Sequence, residues 1–146
     1  MAPLPLTERI ASIKAGLIGA IAAGCAAILL DLLNSWIHHQ VWGNSFILAQ
    51  SAFESALTLA FAVISGFLFG VTYRYILRQD SNPHLRTGAI AAFGLIRGLG
   101  QIDAGVLLHG HPAAMALLAG ESMMMIAIAA SCLDVAIHQK WIQRSF

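Results

Sequence analysis

Residues 15–37 read AGLIGAIAAGCAAILLDLLNSWI, a run of small and large apolar side chains in which Asp31 is the one charged residue. Wound as a helix it is about 35 Å long, enough to cross a hydrocarbon core of about 30 Å with some tilt. It is longer than a signal-peptide core and closes on bulky Trp36 and Ile37, not on a small-residue cleavage site, so it is expected to remain as an anchor. Working outward, three more runs of the same kind follow, at 50–73, 87–108 and 113–137. The linker 38–49 carries no positive charge. The loop 74–86 is basic and holds the helix-stopping cluster Asp80, Ser81, Asn82, Pro83. The turn His109-Gly110-His111-Pro112 is so short that the last two helices must be antiparallel neighbours. The expected fold class is all-α: an integral membrane bundle of four transmembrane helices, arranged as two tandem helical hairpins in a single domain spanning 1–146.

Composition leads independently to the same class. The chain is 58% hydrophobic and 10% charged, with a mean hydropathy of +0.76. A water-soluble core built from 146 residues has no means of hiding that much apolar surface. A formal net charge of +1 excludes nucleic acid as an expected partner, and the basic residues are too dispersed for a strong anionic-lipid patch. Their distribution is topological instead. Arg9 and Lys14 precede the first run, Arg74, Arg78 and Arg86 lie in or beside the middle loop, and Lys140 and Arg144 follow the last run. Positive charge gathers on the cytoplasmic side of membranes, so both termini and the 74–86 loop are expected on the cytoplasmic, or stromal, face.

Arg97 is the exception, placed near the centre of the third run. With Asp31, Glu54, Gln101, Asp103 and Glu121 it makes an intramembrane polar cluster, and a charge at the bilayer centre is costly enough that these groups should face the bundle interior and pair. Helical spacing sets Gly94, Arg97, Gly98, Gln101 and Gly105 on one face of the third helix, whereas Asp103 lies about 240° around from Arg97. Glu121 of the adjoining helix is the expected partner of Arg97, with Glu54 and Asp31 as others. Glu54, Thr58, Ser65 and Thr72 form a polar stripe along the second helix. Two roles compete for the cluster: a buried ion pair that fixes helix register, or a proton or ion path.

Small residues at helical spacing, Gly66 with Gly70 and Gly94 with Gly98 and Gly105, mark faces where backbones approach closely. The two halves also align, Gly19-Ala20-Ile21-Ala22-Ala23 on Gly88-Ala89-Ile90-Ala91-Ala92 and Glu54-Ser55 near Glu121-Ser122, as a tandem duplication would. Cys25 and Cys132, both inside apolar runs, read as small buried packing residues, so neither a disulfide nor a zinc site is expected. Met115, Met123, Met124 and Met125 read as packing residues. Six histidines sit at helix ends or in loops: His38, His39, His109 and His111 at one surface, His84 and His138 at the other. Imidazole ligates haem iron and chlorophyll magnesium, so these six are the candidate pigment or haem ligands. Cofactor identity stays open among chlorophyll, carotenoid and haem. No nucleophile motif, phosphate loop or metal-spaced helix motif is present, and the chain is expected not to be an enzyme.

The segment Tyr73-Arg74-Tyr75, Arg78-Gln79-Asp80-Ser81-Asn82-Pro83-His84-Leu85, Gly88 and Ala92-Phe93-Gly94-Leu95-Ile96-Arg97-Gly98-Leu99 resembles a family of small, functionally uncharacterised multi-span proteins of cyanobacteria and plastids. The resemblance implies a thylakoid setting. It leads to the expectation of a non-enzymatic accessory or assembly subunit of a larger photosynthetic membrane complex, contacting protein, lipid or pigment. A small ion or proton pathway protein using Arg97, Glu54 and Glu121, and a haem-binding or chlorophyll-binding bundle, are the alternatives.

Overall fold

A computed structural model describes residues 6–41, 52–77, 83–107, 109 and 111–142. Four helices account for nearly all of them: α1 (Leu6–Val41), α2 (Ala52–Ile76), α3 (Pro83–Leu107) and α4 (Pro112–His138). Each is long and apolar enough to cross a membrane. Together they form an all-α bundle, with no strand among the described residues. The hairpins α1/α2 and α3/α4 are the tightest pairs, and they meet chiefly along α1 and α4. By contrast α2 touches α3 sparsely, and α1 and α3 do not meet among the described residues.

Two helix starts move by more than two residues from their expected places. α1 begins at Leu6, not at residue 15, and runs 36 residues, about 54 Å of helix. Hydropathy marks the membrane core rather than the helix end. Arg9 and Lys14 point outward while Ala11, Ser12 and Ala15 on the opposite face are buried, so tertiary contacts carry the helix on through a polar stretch. The second shift is at Pro83, which opens α3 instead of merely stopping α2. Proline is well suited to the first turn, where the missing N–H has no intrahelical acceptor and the fixed φ is already helical. α4 likewise opens on Pro112, with His111 as its cap, Nδ1 accepting from the Ala113 N–H at 3.3 Å. At its other end Lys140 adopts φ 60°. The Trp141 and Lys140 N–H groups then donate back to the carbonyls of Ala136 and Ile137. This Schellman-type closure ends the helix and turns Ile142 inward, leaving it 2% exposed.

The interior is built from small side chains and the outside from large ones. Ala15, Ala23, Ala26, Ala62, Ala129 and Ala130 are buried, joined by Phe69, Tyr73, Ile126 and Leu133. Leu17, Ile21, Leu29, Phe61, Leu68, Ile96 and many others are exposed. Water would make such a surface untenable; lipid is its natural solvent, and close helix packing through small residues is how bundles associate there. The α1/α2 crossing shows the closeness. A Cβ on Gly19 would stand 2.3 Å from the Gly66 carbonyl oxygen, and one on Gly70 would stand 2.3 Å from that of Ala15. In α3/α4, Gly98 lies against the Ala119 backbone, Gly94 against Met123 and Gly105 against the Met115 side chain. Met125 is buried and Met124 faces outward. Cys25 and Cys132 are exposed on outward faces, not buried. They sit where lipid rather than protein surrounds a small side chain, a position hydropathy does not distinguish from the interior.

Candidate functional site

Polar side chains inside the bundle gather at two levels. The first is the end that carries most of the basic residues. Tyr73 and Arg74 are neighbours in sequence, so they leave α2 about 100° apart and reach different helices. Arg74 turns toward α1. Its Nη2 pairs with Glu8 Oε2 at 2.8 Å, and its Nη1 donates to Ser12 Oγ at 2.7 Å and to the Glu8 carbonyl at 3.1 Å. Ser12 Oγ in turn lies 3.0 Å from the Glu8 carbonyl oxygen and 3.0 Å from Tyr75 Oη. The Arg74 side chain is 1% exposed, with every named bond made to α1. Tyr73 turns toward α4 and donates to Asp134 Oδ1 at 3.0 Å, while Arg86 of α3 pairs with the other oxygen of the same carboxylate. Together with Arg86 the two adjacent residues tie all four helices at one level. Sequence reading treated Arg74 and Arg86 as topology signals only. The missed signal was the pairing of Glu8 and Asp134 with basic residues that hydropathy places at the same membrane surface.

The second level lies deeper. Asn34 of α1 donates to Glu121 Oε1 of α4, the neighbouring Ser122 donates to Gln101 Oε1 of α3, and Arg97 Nη1 donates to Ser65 Oγ of α2 at 3.3 Å. Gln101 stands one turn above Arg97 on the same side of α3. The expected pairing of Arg97 with Glu121 does not form: Glu121 is engaged by Asn34, on the α1/α4 side, whereas Arg97 points to the α2/α3 side. No described carboxylate pairs with Arg97, and its Nε is buried without a hydrogen-bond partner.

The remaining expected polar residues disperse. Asp31, Glu54 and Asp103 are exposed rather than turned inward. The reason is their depth. Counting about 20 residues, or about 30 Å, from the Tyr73 and Arg86 level brings α2 to Phe53 and α3 to Val106, so Glu54 and Asp103 stand close to the opposite interface, where a carboxylate finds water. The polar stripe of α2 also divides: Ser65 holds Arg97, Thr72 is half-buried, and Thr58 is exposed. Residues aligned between the two halves differ in surroundings. Gly19 packs on the α2 backbone while a Cβ on Gly88 would meet nothing, and Glu121 is half-buried while Glu54 is exposed.

Of the candidate ligands, His84, His109, His111 and His138 are all exposed at helix ends, and none enters the interior. The side chains of His38 and His39 lie outside the described residues. Among the described residues no three His, Cys, Asp or Glu side chains converge as a metal site. Compared with protein-family models, with curated proteins and with solved structures, the chain matches none.

Proposed function

We propose that this protein is a non-enzymatic accessory or assembly subunit of a larger membrane complex, and that the complex is photosynthetic and thylakoid. The observation that carries the reading is the closed interior. Between the two polar levels, Phe69 and Ile126 are fully buried among alanines, and the side chains at the basic end are spent on one another. Among the described residues the interior between those levels is filled by side chains, and what the protein offers to others is its apolar outer surface. The photosynthetic setting is supported by the resemblance of the segment from Tyr73 to Leu99. Tyr73, Arg74, Tyr75 and Arg97 of that segment are the residues that join helices here, so what such a resemblance carries is architecture. By the positive-inside rule the end holding Arg74 and Arg86 faces cytoplasm or stroma.

The test is size-exclusion chromatography of gently solubilised native membranes, following the protein by tag and recording absorption across its peak. Elution in a large chlorophyll-bearing peak is expected. A small colourless peak would refute the reading, and a small coloured one would make the protein itself a pigment or haem carrier.

One observation favours a second reading, the proton path. Asn34, Glu121, Ser122, Gln101, Arg97 and Ser65 set polar groups from all four helices into the deeper part of the bundle. Reconstituted in vesicles with an imposed pH gradient, the protein is expected to carry no flux above that of empty vesicles. Flux that disappears in the double variant Arg97→Leu, Glu121→Leu would establish the path.

A further inference from the structure

On α2, Phe69, Ser65, Thr58 and Glu54 share one side, within a sector of about 60°. On α3, Phe93, Arg97, Gly100 and Ala104 recur at spacings of four, three and four, again one side of a helix. Toward the basic end these two stripes touch, Phe69 to Phe93 edge-on with centroids 5.4 Å apart and Ser65 to Arg97 at 3.3 Å. Beyond that level Thr58, Glu54, Gly100 and Ala104 are all exposed, and a Cβ on Gly100 would meet nothing within 4 Å. The two helices thus part, leaving a lateral groove open to the membrane with the Arg97 guanidinium at its closed end.

That guanidinium lacks a counter-charge. Among the described residues its one side-chain bond is to Ser65, and its Nε is shut from solvent without a partner. Arg97 stands eleven residues along α3 from Arg86, about 16 Å and therefore near the middle of a core of about 30 Å. An unpaired charge there is costly even on insertion scales. No described acid supplies the anion: Asp103 leaves α3 on another side, Glu121 is held by Asn34 across the bundle, and Glu54 stands eleven residues along α2 from Ser65, about 16 Å away toward the opposite interface.

We propose that the groove seats a transmembrane helix of a partner protein, one that carries an Asp or Glu level with Arg97 and packs a small-residue face on Gly100 and Ala104. This rests on the accessory-subunit reading and names its docking site. Charge complementarity selects the occupant. Acyl chains have no acceptor at that depth, and a second copy seated through the same face about a two-fold axis along the membrane normal would set two Arg97 side chains at one height, like charge against like. A carboxylate on a foreign helix satisfies Nε and the remaining Nη hydrogens, and the absent side chain at Gly100 lets that helix approach.

The experiment is photo-crosslinking in native membranes with p-benzoylphenylalanine in place of Phe61, an exposed residue on the α2 rim of the groove, and in place of Leu17 on the outward face of α1 as control. The expected result is an adduct with one partner chain from position 61 and not from 17, attached to a helix that mass spectrometry shows to contain Asp or Glu. Its yield should fall about tenfold or more in Arg97→Gln and persist in Arg97→Lys. Gly100→Leu fills the groove at a position where a Cβ meets nothing within 4 Å, and should abolish the adduct while the bundle stays folded. An adduct at twice the chain mass, adducts with lipid alone, a captured helix without a carboxylate, or a yield unchanged by Arg97→Gln or Gly100→Leu would each overturn the proposal. Co-elution with a large complex combined with any of these outcomes sinks the groove alone, whereas elution as a small single species sinks the accessory reading itself.

Discussion

Replacing Arg74 by Ala is expected to destabilise the bundle by about 3–5 kcal/mol, the cost of removing one partner from a buried ion pair and leaving the other uncompensated. The structure concentrates that cost at one residue. Arg74 satisfies the Glu8 carboxylate, the Glu8 carbonyl and the Ser12 hydroxyl together, and its side chain is 1% exposed against 14% for that of Glu8. Arg74→Ala therefore strands several α1 acceptors at once, and it does so where α1 extends beyond the expected membrane run, a stretch in which Ala11 is the one buried apolar side chain. Arg74→Lys should recover part of the loss, because an ammonium reaches one acceptor but does not fork between two. A double variant, Glu8→Gln with Arg74→Met, should lose less than Arg74→Ala, since no unpaired charge remains. Thermal unfolding of the detergent-solubilised protein, followed by loss of the monodisperse peak, measures all three. Equal midpoints for wild type and Arg74→Ala would show that the pair contributes nothing to holding α1.

Gly19→Ala is expected to rank with Gly70→Ala as the most damaging substitutions of a single methyl group, at about 3 kcal/mol, the upper part of the range for overpacking. The added Cβ would stand 2.3 Å from the Gly66 carbonyl oxygen, and 3.1 Å from the Gly70 Cα. Both are backbone atoms, so no side chain can rotate away and the two helices must separate. Separation propagates, because Gly66 and Gly70 lie equally close to Gly19, Ala23 and Ala15 in return. Gly88→Ala is the matched control. Its Cβ meets nothing within 4 Å, so the change should be neutral or favourable by up to about 1 kcal/mol through helix propensity. Since the aligned strings around Gly19 and Gly88 read alike, the pair also separates what sequence similarity says from what packing says. Similar losses in the two variants would refute the packing account.

The contrast between those two glycines shows where sequence reading stops. Spacing identifies Gly66 and Gly70, or Gly94 and Gly98, as faces suited to close approach, yet Gly88, Gly100 and Gly120 stand at similar spacings and touch no neighbouring side chain or helix. Carboxylates behave the same way. Hydropathy places Asp31, Glu54, Asp103 and Glu121 within the spans, but what holds Glu121 is Asn34 across the bundle and not Arg97, and the acids paired with arginine among the described residues are Glu8 and Asp134 at the basic end.

Sequence by itself determined the number of spans, the all-α class and the two-hairpin order, because hydropathy and charge are sums along the chain and need no knowledge of what faces what. The tertiary structure alone decided which polar groups meet. The helices are apolar around their whole circumference, so their sequences carry little record of which side turns inward. What separates interior from exterior is side-chain size, alanine and glycine within, leucine and isoleucine without. Rotation and tilt are then set by where two backbones fit most closely. That fit turns Arg74 onto Glu8, carries Tyr73 and Arg86 to Asp134, and leaves Arg97 facing the parted side of α2 and α3.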